Sequence, residues 1–221
     1  WEEDPDPTNW NRVVDLVRTC FAKQALPSQM VWSTVVLIPK GGGGFRGIGL
    51  LEIIWKVIES IMNRRIMAEV KFHDCLHGFV PTRGTGTGCI EAKLSQQLHR
   101  MVHQTLFSVF IDLRKAFDTV HRERLLDILN GYGVGPRLRG LLQFYWDHQQ
   151  CVARQADYHG RAFQPSRGVT QGGIISPTLF NILVDAVVRK WLADISDDPM
   201  VAISGLQEAA GDKTAVFYAD D

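Results

Sequence analysis

No apolar run in the 221-residue sequence approaches the ~20 residues that cross a bilayer, and no leader pattern of basic then apolar residues opens it. Paired cysteines are missing too. Cys20, Cys75, Cys89 and Cys151 are scattered without metal-site spacing, which reads as reduced, structural thiols in an intracellular protein, nuclear or cytoplasmic. Charge of one sign is absent, with 24 basic residues against 24 acidic ones, so any nucleic-acid contact has to come from local patches. The run Gly41-Gly42-Gly43-Gly44 lacks the Gly-Lys-Ser/Thr ending of a P-loop and reads as a hairpin tip. His99 and His103 stand at i, i+4, but no Glu follows the first and no third ligand is apparent. A solvated helix face is the better reading than zinc. No internal repeat occurs.

What remains is a globular composition, 45% hydrophobic and 22% charged, long enough for one large domain or two intimate subdomains with a real core. The charge is unevenly placed. Basic residues gather between Lys40 and Lys93, and acids crowd both ends, at Glu2 to Asp6 and Asp194 to Asp212. That separation is compatible with a phosphate backbone held against an acidic catalytic centre. The chain opens on Trp1 and stops at Asp221, which reads as a piece of a longer protein.

Periodicity gives the coarse order. A helix capped by Thr8 runs to about Lys23, with Trp10, Val13, Val14, Val17 and Phe21 on one face. Val31 to Ile38 is β-branched and reads as a strand, returning over Phe45 to Gly49. Leu50 to about Glu69 is an amphipathic helix. The Gly/Thr-rich loop 78–88 leads into another helix from Ile90 to about His103, and serves either as a cap or as a phosphate contact. A helix reaches Leu129, and Pro136 opens the next, to about His148. Residues 150–158 and 161–166 flank His159-Gly160 as a hairpin. Gly168 to Ser176 is a turn, and Pro177 starts a strongly apolar helix. The class is α+β.

The chain is organised around Phe110-Ile111-Asp112-Leu113-Arg114-Lys115-Ala116-Phe117-Asp118. The apolar run from Leu106 to Ile111 reads as a buried strand that ends abruptly at Asp112. A carboxylate at the tip of a core strand is costly unless something pairs with it or a metal binds it. A second short apolar run, Ala215 to Ala219, ends in Asp220-Asp221. Two such strands side by side make a hard-oxygen pocket suited to magnesium.

With the Gln-Gly loop between them, these motifs resemble the polymerase motifs of reverse transcriptases. Phe110 to Asp118 is similar to the first palm motif, Gly168-Val169-Thr170-Gln171-Gly172 through Ser176-Pro177 to the second, and Tyr218-Ala219-Asp220-Asp221 to the active-site box. Upstream, Leu37 to Lys40 with Arg46 to Leu51, and His77-Gly78-Phe79 with Arg83 to Thr85, resemble fingers motifs. The wording Leu113 to Asp118 and Tyr218 to Asp221 is nearer to non-LTR retroelement and group II intron enzymes than to retroviral ones.

The resemblance implies a right-hand polymerase fold, with fingers over 1–105, palm over 106–221 and the thumb absent. The implied function is RNA-directed DNA polymerisation, using an RNA template, a DNA or RNA primer and dNTPs, with no membrane involved. It implies that Asp112 and Asp220 hold two Mg2+ ions about 3.5–4 Å apart, with Asp221 assisting and the Leu113 carbonyl completing a coordination sphere. Lys40 and Arg46 are the implied triphosphate clamps, the latter by bidentate contact. Phe117 matches the gate that excludes a 2′-hydroxyl. Gln171 is expected to contact the incoming nucleotide or position the template, and Gly172 to let the backbone approach closely. Asp118 is expected to cap the following helix.

Two departures stand out. Many members have Arg-Pro-Ile where this chain has Arg46-Gly47-Ile48, and a proline where it has Ile174; both are expected to loosen a loop. Without a thumb, the piece is expected to be inactive alone. Two other readings remain at this point. One is a decayed or repurposed relative that binds RNA without polymerising, which intact Asp112, Phe117, Gln171 and Asp220 argue against. The other is an RNA-templated RNA polymerase, which Phe117 and Ala219 disfavour.

Overall fold

A computed structural model describes residues 7–41, 44–156, 158–196 and 215–218. The chain divides into two compact units, Trp1–Val70 with Phe117–Ser176, and Lys71–Ala116 with Pro177–Asp221.

The first unit is built on a four-stranded sheet. Helix α1 (Pro7–Lys23) begins on a proline, whose fixed φ suits a first helical turn. After a short 3-10 turn at Ser28–Val31 come β1 (Trp32–Pro39) and β2 (Phe45–Leu51), antiparallel from Ser33↔Leu51 to Pro39↔Phe45. Helix α2 (Ile53–Glu69) follows. The unit resumes in helices α5 (Arg122–Gly131) and α6 (Pro136–His148) and strands β3 (Gln150–Gln155) and β4 (Tyr158–Phe163). The sheet order is β2-β1-β3-β4, with β1 and β3 parallel. A parallel pair needs a crossover, and here the intervening chain supplies helices for the core. Trp55, Ile58, Met62 and Ile66 of α2, Leu125 and Leu129 of α5, and Leu141, Leu142 and Tyr145 of α6 are all buried. The Trp55 and Tyr145 rings stack at 4.2 Å and 16°. Each such side chain contributes about 1.5–3 kcal/mol by leaving water.

One turn lies elsewhere than the sequence indicates. The hairpin of β3 and β4 reverses between Gln155 and Tyr158, not at His159-Gly160, and a bulge between Val152 and Arg154 shifts the register further from the turn. His159 pairs with Arg154, which places Gly160 inside β4.

The second unit contains α3 (Thr85–Met101) and most of α7 (Ser176–Ser196). The Thr87 hydroxyl accepts from Gly84 N–H (2.9 Å) and donates to Gly84 O (2.7 Å), so the Gly/Thr-rich loop serves as a cap. Loop 71–84 is tied down by charged side chains. Buried Asp185 accepts from His73 N–H and from Arg189 Nε, both at 2.6 Å. Arg83 donates to His73 O (2.7 Å) and Asp74 (2.6 Å), and Asn181 donates to Gly78 O (2.6 Å). His99 lies in α3 and donates to Ser95 O, whereas His103 lies beyond the helix with positive φ, so they do not form a zinc pair.

The strand over Leu106 to Ile111 does not form. Those residues join no ladder among the described residues, with Phe107 86%, Val109 82%, Phe110 95% and Ile111 70% exposed. The expected partner is engaged elsewhere: Phe217 N–H donates to Cys75 O and Phe217 O accepts from His77 N–H, both at 2.8 Å, in a parallel bridge to Leu76. An apolar run becomes a buried strand only where a neighbour takes its backbone groups. The helix expected directly after Asp112 is also split, into α4 (Ala116–Thr119) and α5. Among the described residues, no helix is long and apolar enough to cross a membrane.

Candidate active site

In the first unit the Gln-Gly loop forms a defined turn. Gly173 N–H donates to Thr170 O (3.0 Å), closing four residues around Gln171 and Gly172. Gly172 has φ +101°, the value that a type II turn requires at its third position. A side chain there would also meet Gly49 O at 2.6 Å. The turn leans on β2, where Gly49 N–H donates to Gln171 O at 2.6 Å.

Three further groups fix the loop. Before the turn, Gln149 Nε2 donates to Thr170 Oγ1 at 3.1 Å and lies 3.3 Å from the Tyr145 hydroxyl. Upstream, the Arg122 guanidinium donates to Gly168 O (2.9 Å), Pro165 O (2.7 Å), Trp146 O (3.3 Å) and Gln149 Oε1 (2.8 Å). Burial lowers its pKa from the usual arginine value. After the turn, Ile174 N–H donates to Glu59 Oε2 at 2.8 Å. Glu59 is buried, and desolvation pushes its carboxyl up to about 7 against the pull of the Ile174 hydrogen bond. Burial likewise raises the Tyr145 hydroxyl.

The same loop receives Phe117. Val169 N–H donates to Phe117 O (2.9 Å) and Gly168 N–H to Val120 O (2.8 Å). A side chain on Gly168, whose φ is +88°, would lie 2.9 Å from Asp118 O and 3.0 Å from Phe117 O. Gln171 Nε2 reaches Asp118 Oδ1 at 3.4 Å. Asp118 therefore faces the turn and does not cap α5, whose N-cap is His121.

The structure thus joins the Phe117 backbone to the loop that carries Gln171 and Gly172, and seats the turn itself against β2. Lys40 and Arg46 stand exposed on the β1–β2 hairpin, and neither side chain is engaged by another described residue. Arg46 lies three residues before Gly49, about 10 Å along the strand. Asp112 belongs to the second unit, where it and Leu113 are exposed on the unpaired segment. Asp220 and Asp221 lie outside the described residues. Neither departure loosens its loop. Gly47 is paired with Leu37, with no room for a side chain beside Val35, and the Ile174 N–H is held by Glu59.

Glu59, Arg122 and Gln149 escape a motif search. Glu59 nevertheless carries a signal, a charge on the apolar stripe formed by Trp55, Ile58, Met62 and Ile66.

As for metal, Asp112, Asp220 and Asp221 are carboxylates, a donor type whose chemistry fits a hard divalent cation. No group of three His, Cys, Asp or Glu able to hold an ion occurs among the described residues.

Mixed helices and strands bearing these motifs define a fingers and palm portion of a right-hand polymerase fold. Two telomerase structures from Candida tropicalis share it. One, solved with a fragment of telomeric RNA, has a TM-score of 0.54 at 15% identity, covering 86% of this chain and 37% of its own. The other has a TM-score of 0.51 at 14% identity, covering 89% and 48%.

The chain belongs to the reverse transcriptase (RNA-dependent DNA polymerase) family, whose sequence profile matches residues 38–221. Members of this family use a divalent metal ion. It is 26% identical over 194 residues to the retrovirus-related Pol polyprotein of the type-1 retrotransposable element R2 of Nasonia vitripennis, covering 83% of this chain and 19% of that protein. The type-2 element R2DM of Drosophila melanogaster is 24% identical over 206 residues, covering 91% and 19%. A putative COX1/OXI3 intron 2 protein of Saccharomyces cerevisiae is 28% identical over 154 residues, covering 68% and 16%. The chain spans about a fifth of the length of these curated relatives. Both retrotransposon and intron proteins appear among the relatives, in keeping with the wording of the palm motifs.

Proposed function

We propose that this chain supplies the fingers (1–105) and palm (106–221) of a retroelement RNA-directed DNA polymerase, joining dNTPs to a primer 3′-hydroxyl on an RNA template. The observation that supports the reading is the bonding of the Phe117 backbone to the Gln171–Gly172 loop, whose turn lies against β2, since the resemblance assigns these residues to the incoming nucleotide. Asp112, Asp220, Asp221 and the Leu113 carbonyl would hold two magnesium ions, which supply charge neutralisation at the reacting phosphate and lower the pKa of the attacking hydroxyl.

The chain's own residues do the positioning. Lys40 and Arg46, exposed on a hairpin, are free to meet a triphosphate, Arg46 with two parallel N–H donors. The ring of Phe117, whose backbone is bonded to Val169, would limit what can sit on the sugar C2′. Gly172 lets the turn lie close to β2, and Gln171 presents an amide at its tip.

The test is primer extension on an RNA template by protein carrying this chain. With dNTPs it should proceed, and with NTPs fail. Phe117→Val should admit NTPs, and Lys40→Ala and Arg46→Ala should each raise the KM for dNTP about tenfold, the worth of one charged contact. Equal use of NTPs by the unaltered protein would favour an RNA polymerase. RNA binding without extension would favour a repurposed RNA-binding relative.

A further inference from the structure

We propose that Glu59 is a positioning residue, holding Gln171 and Gly172 in place through the Ile174 N–H. This rests on the reading of Gln171 as a nucleotide-contacting group.

Three hydrogen bonds anchor the turn: Gln149 to Thr170 before it, Gly49 to Gln171 within it, and Ile174 to Glu59 after it. Only the last uses an ionisable acceptor. A buried carboxyl is costly, and satisfying the Ile174 N–H does not require one, because a neutral amide or hydroxyl oxygen would accept the same hydrogen bond. The site is also cleared for the carboxyl. A side chain on Gly173 would stand 3.1 Å from Glu59 Oε1 and 2.7 Å from Ser176 Oγ. A group that costs stability, in space kept open for it and bonded to one end of a functional turn, is explained by the position it enforces.

The contact depends on charge. An ionised carboxylate accepts from an N–H about twice as strongly as a neutral acceptor, and this carboxyl changes charge near neutrality. The groups facing it are the Trp55 indole and Lys56 on its own helix, Tyr145 on α6 and, beyond Tyr145, Arg122 and Cys151. The turn is therefore held more firmly above neutral pH than below it.

The experiment compares wild type, Glu59→Gln and Glu59→Leu in protein carrying this chain. Glu59→Leu should raise the melting temperature, by removing a buried charge, while raising the KM for dNTP about tenfold with kcat nearly unchanged. In wild type, KM should fall as pH rises through about 7, and in Glu59→Gln it should be flat across that range. Amide NMR on the same proteins reads the contact without catalysis. The Ile174 and Gln171 amides should titrate together in wild type, and neither should move in Glu59→Gln. A stabilised Glu59→Leu with unchanged KM and an unshifted Gln171 amide would overturn the proposal and leave Glu59 a core residue. If wild type extends no primer, the polymerase reading fails, while the amide titration still decides whether Glu59 sets the turn.

Discussion

Deleting the Arg122 side chain tests how the candidate site is built. Its guanidinium joins three segments that sequence keeps apart, donating to Gly168 O at 2.9 Å, Pro165 O at 2.7 Å and Gln149 Oε1 at 2.8 Å, with a longer bond to Trp146 O at 3.3 Å. It also lies over the Trp146 ring at 5.5 Å. Hydrogen bonds from a charged donor contribute about 1.5–3 kcal/mol each, and water recovers part of that where a carbonyl becomes accessible. Gly168 is buried and Gln149 nearly fully so, so two of the three short bonds lose their partner with little replacement. Arg122→Ala should therefore cost about 3–5 kcal/mol, the range for breaking a buried charged network. With a urea m-value of about 2 kcal/mol/M, the midpoint falls by about 2 M. Arg122→Lys should restore little, because an ammonium cannot reproduce the fork. A loss below about 1 kcal/mol for Arg122→Ala would refute the reasoning and show that the carbonyls rehydrate freely.

The Glu59 carboxyl sits at about 7 in the fold against 4.5 unperturbed, so the folded state holds a proton that the unfolded state releases. Stability should then fall as pH rises from about 4.5 to about 7 and stay level above, a difference of roughly 3 kcal/mol. Glu59→Gln should flatten that part of the profile in denaturation curves taken at several pH values; an unchanged slope would place its source elsewhere. Gly168→Ala combines a left-handed φ with backbone atoms of Phe117 and Asp118 within 3.0 Å of the new carbon, and should cost about 2 kcal/mol or more in the same unfolding assay. Gly172→Ala faces Gly49 O at 2.6 Å, so it should loosen the turn from β2, seen as loss of exchange protection at the Gly49 amide.

Elements whose signals are local were legible in the sequence. Pro136 opens α6, the β-branched run becomes β1, and the Gln171-Gly172 pair forms its turn because glycine takes the positive φ there. The segment from Leu106 to Ile111 was not, since an apolar run states a need for a partner without naming one, and Phe217 is bonded to Cys75 and His77 instead. Arg122 could not be found from its neighbours in sequence: its acceptors at Pro165 and Gly168 lie 43 and 46 residues away and are mostly backbone oxygens that every residue carries. Glu59 was readable in principle, as a charge interrupting the buried stripe of α2.

Metal-assisted nucleotidyl transfer at Asp112 is open to a single comparison. Wild type and Asp112→Ala, in protein carrying this chain, are given an RNA template, a DNA primer, dNTPs and magnesium, and single-nucleotide extension is timed. Wild type should extend the primer and Asp112→Ala should lose at least about a thousandfold, the scale on which removing transition-state charge stabilisation acts, with template–primer affinity nearly unchanged. Extension that survives the substitution would contradict metal-assisted transfer at Asp112.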